Sequence, residues 1–150
     1  MAHFAKVNTS NNKVEQVIVV DNNQILDSDG NESEDVGKDY IANVLKLDGE
    51  WKQTSYNTRE NKYYNEDMTL GDDQSKAFRY NFAEINGKWN EEVQGFETRK
   101  WHNGWVLNPD TLNWDAPVDP PSLTQEEIDA GITYIWNETD IQWDRYDPSE

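Results

Sequence analysis

Val17-Ile18-Val19-Val20 is the apolar run that decides the fold class of this chain. Apolar residues on both sides of a strand indicate that other elements cover both of its faces. The run ends a predicted strand over residues 13–20, and five turn-forming residues, 8–12, join it to a first strand over residues 3–7. The chain therefore opens with a β-hairpin that needs further elements packed against it.

An amphipathic helix predicted over about 33–47 is the best cover for this hairpin. Ser33 is suited to cap its first turn, where the acidic residues that follow favour the helix dipole. Gly49 favours termination after it, and a strand is expected at 51–56. The apolar side chains of the helix recur at four- and five-residue spacing and form one stripe: Val36, Tyr40, Ile41, Val44 and Leu45.

Two Asn-Gly pairs predict further hairpins, because a type I′ turn needs positive φ at both central residues. Asn86-Gly87 would pair a strand containing Phe78, Tyr80 and Phe82 with residues 89–93, so that Tyr80 faces Val93 and Glu84 faces Trp89. Asn103-Gly104 would join residues 99–102 to 105–108. The polar segment 57–76 is predicted to be mostly loop.

The last third of the chain contains an internal repeat. Residues 106–115 align with residues 135–144, and each copy is predicted to be a hairpin whose four-residue loop starts at the asparagine. That register makes Leu107 face Leu112 and Trp136 face Ile141, with the pairs Trp105–Trp114 and Tyr134–Trp143 beyond them. A short helix at about 125–130, with a Thr124–Glu127 capping box, lies between the copies.

These elements predict an α+β fold that is mainly antiparallel β. Residues 1–100 are expected to form a hairpin-rich α+β core domain. Residues 101–150 are expected to form an acidic arm, rich in Pro and Trp, that carries the two repeated hairpins. All five prolines lie beyond residue 108, which separates the arm from the core in composition.

Charge and composition exclude several classes of function. The chain has 30 acidic and 13 basic side chains, a net charge of −17, and would repel nucleic acid and anionic lipid. No apolar run approaches the roughly 20 residues that span a bilayer, and the N-terminus lacks the apolar stretch of a secretory signal. Without cysteine the chain has no disulfide or thiolate site. We expect no nucleic-acid partner and no membrane.

The acidic connector before the helix is the one weak metal candidate. Asp27, Asp29 and Asn31 match the first three ligand positions of an EF-hand loop. The pattern then has Glu32 where glycine is needed and Lys38 where glutamate is needed. A solvated loop with helix-capping carboxylates is favoured, with adventitious Ca²⁺ binding as the alternative.

No catalytic motif stands out in the sequence. His3 and His102 lack the spacing of a zinc site, and no nucleophile or nucleotide-binding motif occurs. We therefore expect a non-enzymatic protein without a cofactor.

Aromatic residues of the arm are the predicted partner-binding residues: Trp105, Trp114, Tyr134, Trp136 and Trp143. Tryptophan and tyrosine are enriched at protein interfaces, which favours docking on another protein or packing within the hairpins. A saccharide-binding adhesion module is an alternative, because tryptophan beside Asp and Asn suits sugar platforms. An acidic nucleic-acid mimic that inhibits a host enzyme is a third reading.

Several stretches resemble small virion-associated proteins of marine bacteriophages, especially cyanophages. The resemblance implies a structural or accessory role in the virion, as capsid decoration or a tail component, after synthesis in the host cytoplasm. It implies other capsid or tail proteins as partners, leaves a homo-oligomer open and transfers no catalytic residue. The similar stretches are residues 2–7, 14–19, 29–34, 51–57 and 78–83 together with the two Trp-bearing hairpins.

Overall fold

Antiparallel pairing of short strands dominates the structure, a computed structural model that describes residues 1–150. The predicted α+β class is confirmed. Neither helix is long and apolar enough to cross a membrane. The elements are β1 (Ala2–Val7), β2 (Val14–Val20), α1 (Glu34–Asn43), β3 (Glu50–Thr54), β4 (Thr58–Arg59), β5 (Lys62–Tyr63), β6 (Lys88–Asn90), β7 (Gly95–Glu97), β8 (Val106–Leu107), β9 (Trp114–Asp115), α2 (Gln125–Asp129), β10 (Thr133–Asn137) and β11 (Gln142–Tyr146).

The chain divides into two compact units. The first comprises Met1–Arg99 with Asn108–Asn113, and the second comprises Lys100–Leu107 with Trp114–Glu150. The predicted boundary lies after residue 100, so the predicted and observed divisions differ at Lys100 and over 108–113. That segment is the loop between β8 and β9, and its hydrogen bonds to residues of the first unit place it there.

The central sheet of the first unit has the strand order β2-β1-β3 and forms the predicted opening hairpin. Alternation along β1 sends Phe4 to one face and Ala5 to the other, and both are completely buried. Each face carries its own core cluster, to which Ile18 and Val17 of β2 contribute respectively. The expectation of a strand covered on both faces is correct except at Val19, which is 51% exposed.

Helix α1 covers the face that holds Phe4. Ser33 caps it as predicted, since its side chain accepts a hydrogen bond from Val36 N at 3.4 Å. The helix ends at Asn43 and not near residue 47. Lys46 has a φ of 58°, and Leu47 N donates to Ile41 O, so the chain has already turned before Gly49.

The opposite face of the sheet is covered by the β6–β7 hairpin, whose Trp89 and Phe96 are 2% and 0% exposed. The hairpin predicted at Asn86-Gly87 is wrong. Arg79 and Tyr80 have φ values of 54° and 67°, which a strand does not allow.

The hydrogen bonds of Asn86-Gly87 explain why that turn closes no hairpin. Asn86 N donates to Val14 O, and Val14 N donates to Gly87 O, so this turn pairs with β2 instead. Asn103-Gly104 likewise joins no strands. It forms a turn in which Trp105 N donates to His102 O.

The second unit contains α2 and the two repeated hairpins, β8–β9 and β10–β11. The predicted capping box of α2 is confirmed. Glu127 N donates to Thr124 Oγ1 at 3.2 Å, and Thr124 N donates to the Glu127 carboxylate at 2.9 Å.

Candidate functional site

Four hairpins of the chain share one loop design. In each, an asparagine closes the first strand, four loop residues follow, and the fourth of these has a positive φ. The asparagines are Asn8, Asn90, Asn108 and Asn137, and the positive-φ residues are Asn12 (61°), Gln94 (56°), Leu112 (56°) and Ile141 (54°). The sequence repeat identifies only the last two copies, because the others share little beyond the asparagine and the residues that pack across the strands.

The asparagine side chain holds each loop in place. In the last copy, Asn137 Oδ1 accepts from Asp140 N at 3.0 Å, and its Nδ2 donates to Asp144 Oδ2 at 2.8 Å. Equivalent bonds from asparagine to carboxylate join Asn8 to Glu15 (2.7 Å) and Asn90 to Glu97 (2.9 Å). These carboxylates are therefore structural acceptors.

Hydrogen bonds from Asn137 and then Gln142 lower the pKa of Asp144. The shift is the expected effect of donors on a carboxylate, since they stabilise its charged form.

The strand register of the repeated hairpins differs from the prediction. The four-residue loop begins after the asparagine, and so Leu107 faces Trp114 and Trp136 faces Trp143. The predicted partners Leu112 and Ile141 are instead the positive-φ residues of the two loops. The asparagine is thus the last paired residue and not the first loop residue.

Three of the five predicted partner-binding residues pack against one another. The ring centroids of Trp136 and Trp143 lie 5.3 Å apart, and each lies 6.2 Å from Trp105. Trp136 is 9% exposed. Of the other two, Trp114 lies beneath the ammonium of Lys100 at 4.5 Å, and Tyr134 is paired with Arg145 across the strands. The tryptophan cluster thus uses much of its surface inside the second unit.

Glu138, at the start of the last loop, connects this cluster to the turn before β8. Its carboxylate accepts hydrogen bonds from Trp136 Nε1 at 2.8 Å and from Gly104 N at 2.6 Å. His102 Nδ1 lies 3.4 Å from the same carboxylate. Trp143 Nε1 in turn donates to Val118 O at 2.7 Å. The strands that carry the last loop are therefore firmly positioned.

Equivalent loop residues of the two repeats have opposite environments. Leu112 is 1% exposed, whereas Ile141 is 60% exposed. Sequence reasoning missed this residue because it placed both side chains in strand pairs. Hydrophobicity alone could not have found it, since both residues are apolar. Only the packing of each loop distinguishes the two.

The weak metal candidate of the acidic connector has a structural role. Asp27 Oδ1 accepts hydrogen bonds from Asp29 N and Asn31 N, both at 2.9 Å. The loop is thus stabilised by its first carboxylate. No group of three or more His, Cys, Asp or Glu side chains is arranged to hold a metal ion.

Comparisons with protein-family models, with curated proteins and with solved structures find no match to this chain.

Proposed function

We propose that this protein is a non-enzymatic structural or accessory component of a phage particle. In this proposal it binds a neighbouring virion subunit, in the capsid or the tail, through the loop 138–141. The resemblance of its sequence to small virion-associated proteins supports the proposed place in a phage particle. The exposure of Ile141 is the observation that selects loop 138–141 as the binding site in this proposal.

The other copy of the hairpin provides the precedent for this kind of docking. The loop of that copy is part of the first unit, within which Thr98 N donates to Leu112 O at 3.0 Å and Asn81 Nδ2 donates to Thr111 O at 2.8 Å. The Leu112 side chain lies so close to Gly95 that a Cβ there would clash with it. An apolar residue at this loop position can therefore pack into a closely fitting site.

Ile141 combines an unfavourable backbone conformation with a largely exposed apolar side chain. A β-branched residue at φ 54° is strained, by about 1–2 kcal/mol for an L-residue in the left-handed region. Its side chain also leaves apolar surface in water. Residues held in costly conformations concentrate at functional sites, and binding would recover this cost.

Charge defines the chemistry of the partner surface. Glu138, Asp140 and Asp144 surround the loop, and the second unit has ten acidic side chains against two basic ones. A complementary subunit offers an apolar pocket with lysine or arginine at its rim, because opposite potentials favour encounter and correct register.

Binding to particles that lack the protein tests this function. Purified wild-type protein should saturate such particles, and Ile141→Asn should bind at least about tenfold more weakly, which is a modest loss for a central apolar anchor. Ile135→Asn is the matched control, since Ile135 is 55% exposed in the same hairpin but outside the loop. Equal binding by the Ile141→Asn variant and wild type would contradict the assignment of the loop.

A further inference from the structure

A small cavity in the first unit has aromatic walls. Tyr56, Tyr64 and Phe82 line it together with Met68, and its volume is about 110 Å³. Sites for small molecules usually measure about 300–1,000 Å³, so this cavity suits one side chain of a peptide. Tyr56 and Met68 are 61% and 56% exposed, which leaves the cavity open to a partner.

Neighbouring groups brace the aromatic walls. The rings of Tyr56 and Phe82 lie 5.4 Å apart at 77°, and His3 stacks on Tyr56 at 5.9 Å. Arg59 lies over the ring of Tyr64 at 4.4 Å. Rings fixed in this way lose little freedom on binding, which favours affinity.

The cavity has a positive charge in an acidic protein. Arg59 is its only charged lining residue and, unlike Arg79 and Arg145, it forms no salt bridge. Burial, and secondarily the N-terminal amine, lower the pKa of His3, which leaves that ring uncharged at neutral pH. A second cavity of about 290 Å³ also has Arg59 and Phe82 in its lining, together with Glu60 and Glu84. The positive charge without carboxylates beside it is therefore specific to the first cavity, which we call the aromatic groove.

The same chain contains a segment with complementary chemistry. Asp119-Pro120-Pro121 lies between β9 and α2, has no helix or strand, and is exposed at all three residues. Consecutive prolines favour the polyproline II conformation, which docks in aromatic grooves and costs little entropy to order. Arg59 forms no salt bridge in its own chain, and Asp119 carries the negative charge that would pair with it.

We infer that the aromatic groove around Tyr64 binds the Asp119-Pro120-Pro121 segment of a second copy of this chain. One proline ring occupies the small cavity, and Asp119 pairs with Arg59. Asn57 and Asn65 also line this cavity, and Asn65 Nδ2 already donates to Thr69 Oγ1 at 3.1 Å.

This contact is head-to-tail, because each copy uses its groove for one neighbour and its proline segment for another. Contacts of this kind close into rings or continue as open assemblies. The inference goes beyond the proposed virion docking and uses different residues, so either one can fail without the other.

Sedimentation velocity of the full-length protein over a wide concentration range is the first test. An ionic strength of about 0.15 M should be used, because its Debye length of about 8 Å screens the long-range repulsion between copies of net charge −17 and acts less on a close ion pair. We expect concentration-dependent association that Tyr64→Ala weakens by about tenfold or more. Pro148→Ala, outside the segment, and Ile141→Asn, in the virion-docking loop, should associate like wild type. A protein that stays monomeric at every concentration overturns the inference.

A charge swap keeps the test independent of folding defects. Arg59→Glu and Asp119→Arg should each weaken association, and the double variant should restore it. A double variant no better than either single variant would show that these two side chains do not meet.

A synthetic peptide of residues 114–124 identifies the binding surface. Added to the labelled full-length protein, it should shift the NMR signals of residues around Tyr64 and Phe82. The same peptide with both Pro120 and Pro121 replaced by alanine should not. Shifts located elsewhere, or equal shifts with the alanine peptide, would refute the groove as the site. Binding of an unrelated proline-rich peptide in place of this one would assign the groove to a foreign partner.

Discussion

Leu112 and Ile141 occupy the same position in two copies of one hairpin, yet Leu112 is 1% exposed and Ile141 is 60% exposed. Both are held in the left-handed backbone region, at φ 56° and 54°. Burial compensates the strain at Leu112, whereas Ile141 is mostly exposed and gains much less from burial. The pair thus contrasts a loop residue that is packed within the first unit with one whose apolar side chain is largely exposed.

Replacing Ile141 with asparagine should stabilise the protein. Asparagine tolerates a positive φ and a solvent-exposed position, so the free energy of unfolding should rise by about 0.5–1 kcal/mol. Urea denaturation followed by tryptophan fluorescence measures this change. The same substitution at Ile135, in a strand, should lower the free energy of unfolding by a few tenths of a kcal/mol. A destabilised Ile141→Asn variant would show that the side chain is supported within the chain.

Asn137→Ala should destabilise the second unit by about 1–2 kcal/mol, because the loop loses both its acceptor and the donor to Asp144. Asn103→Ala, in an exposed turn, is the matched control and should stay within about 0.5 kcal/mol of wild type. Only the bond from Asn137 to Asp144 depends on pH. Because the pKa of Asp144 is lowered, the stabilisation from that bond is present above the usual value of 3.8 and is lost as the pH falls through the folded value. Unfolding curves at neutral and acid pH should show that the difference in free energy of unfolding between wild type and Asn137→Ala becomes smaller in acid.

The ion pair of Glu34 and Arg79 should make the first unit sensitive to acid. Arg79 Nη2 donates to Glu34 Oε1 at 3.1 Å, and Gln53 N donates to Oε2 at 2.6 Å. Burial acts to raise the pKa of Glu34, but these hydrogen bonds and the charges of Arg79 and Lys38 outweigh it and lower the pKa. The stabilisation is complete above the usual value of 4.5 and is lost as the pH falls through the folded value.

Glu34→Gln should accordingly cost about 1–2 kcal/mol at neutral pH, the lower part of the range for hydrogen bonds to charged groups, because solvent screens this half-buried pair. Its stability should also depend less on pH than that of wild type. Glu32→Gln, at an exposed residue of the same connector, should change neither quantity. If the free energies of unfolding of wild type and Glu34→Gln changed with pH in parallel, the proposed role of the ion pair would be contradicted.

Gly37 should tolerate no side chain, because a Cβ at this position would overlap the buried ring of Phe4. Gly37→Ala should therefore cost about 1–3 kcal/mol, although alanine is the better helix former. Combining it with Phe4→Leu makes room for the new methyl group. The double variant should lose less than the sum of the two single losses, and thermal unfolding would measure the difference.

Local chemistry was sufficient to predict much of the fold. The alternation in β1, the apolar run of β2, the cap at Ser33 and the capping box at Thr124 each depend on neighbours in sequence. These features were found in the structure with errors of a few residues. The end of α1 was misplaced because Lys46, a residue without strong turn preference, takes the left-handed conformation before Gly49.

Tertiary contacts decided the rest, and they leave little trace in a single sequence. Asn86-Gly87 has the composition of a hairpin turn, but its backbone bonds are taken by Val14 of a distant strand. The register of the repeated hairpins depended on whether Asn108 and Asn137 were paired or in the loop, a choice of one residue that changes every partner. The burial of Leu112 and the exposure of Ile141 depend on what each loop meets in space.

Mass spectrometry of purified phage particles tests the proposed virion role most directly. With the wild-type gene, we expect this protein in many copies per particle. With the Ile141→Asn gene, we expect it to be depleted from particles while it remains folded and abundant in the infected cell. Absence of the wild-type protein from purified particles would contradict its assignment to the virion, and undiminished incorporation of the variant would contradict docking through Ile141.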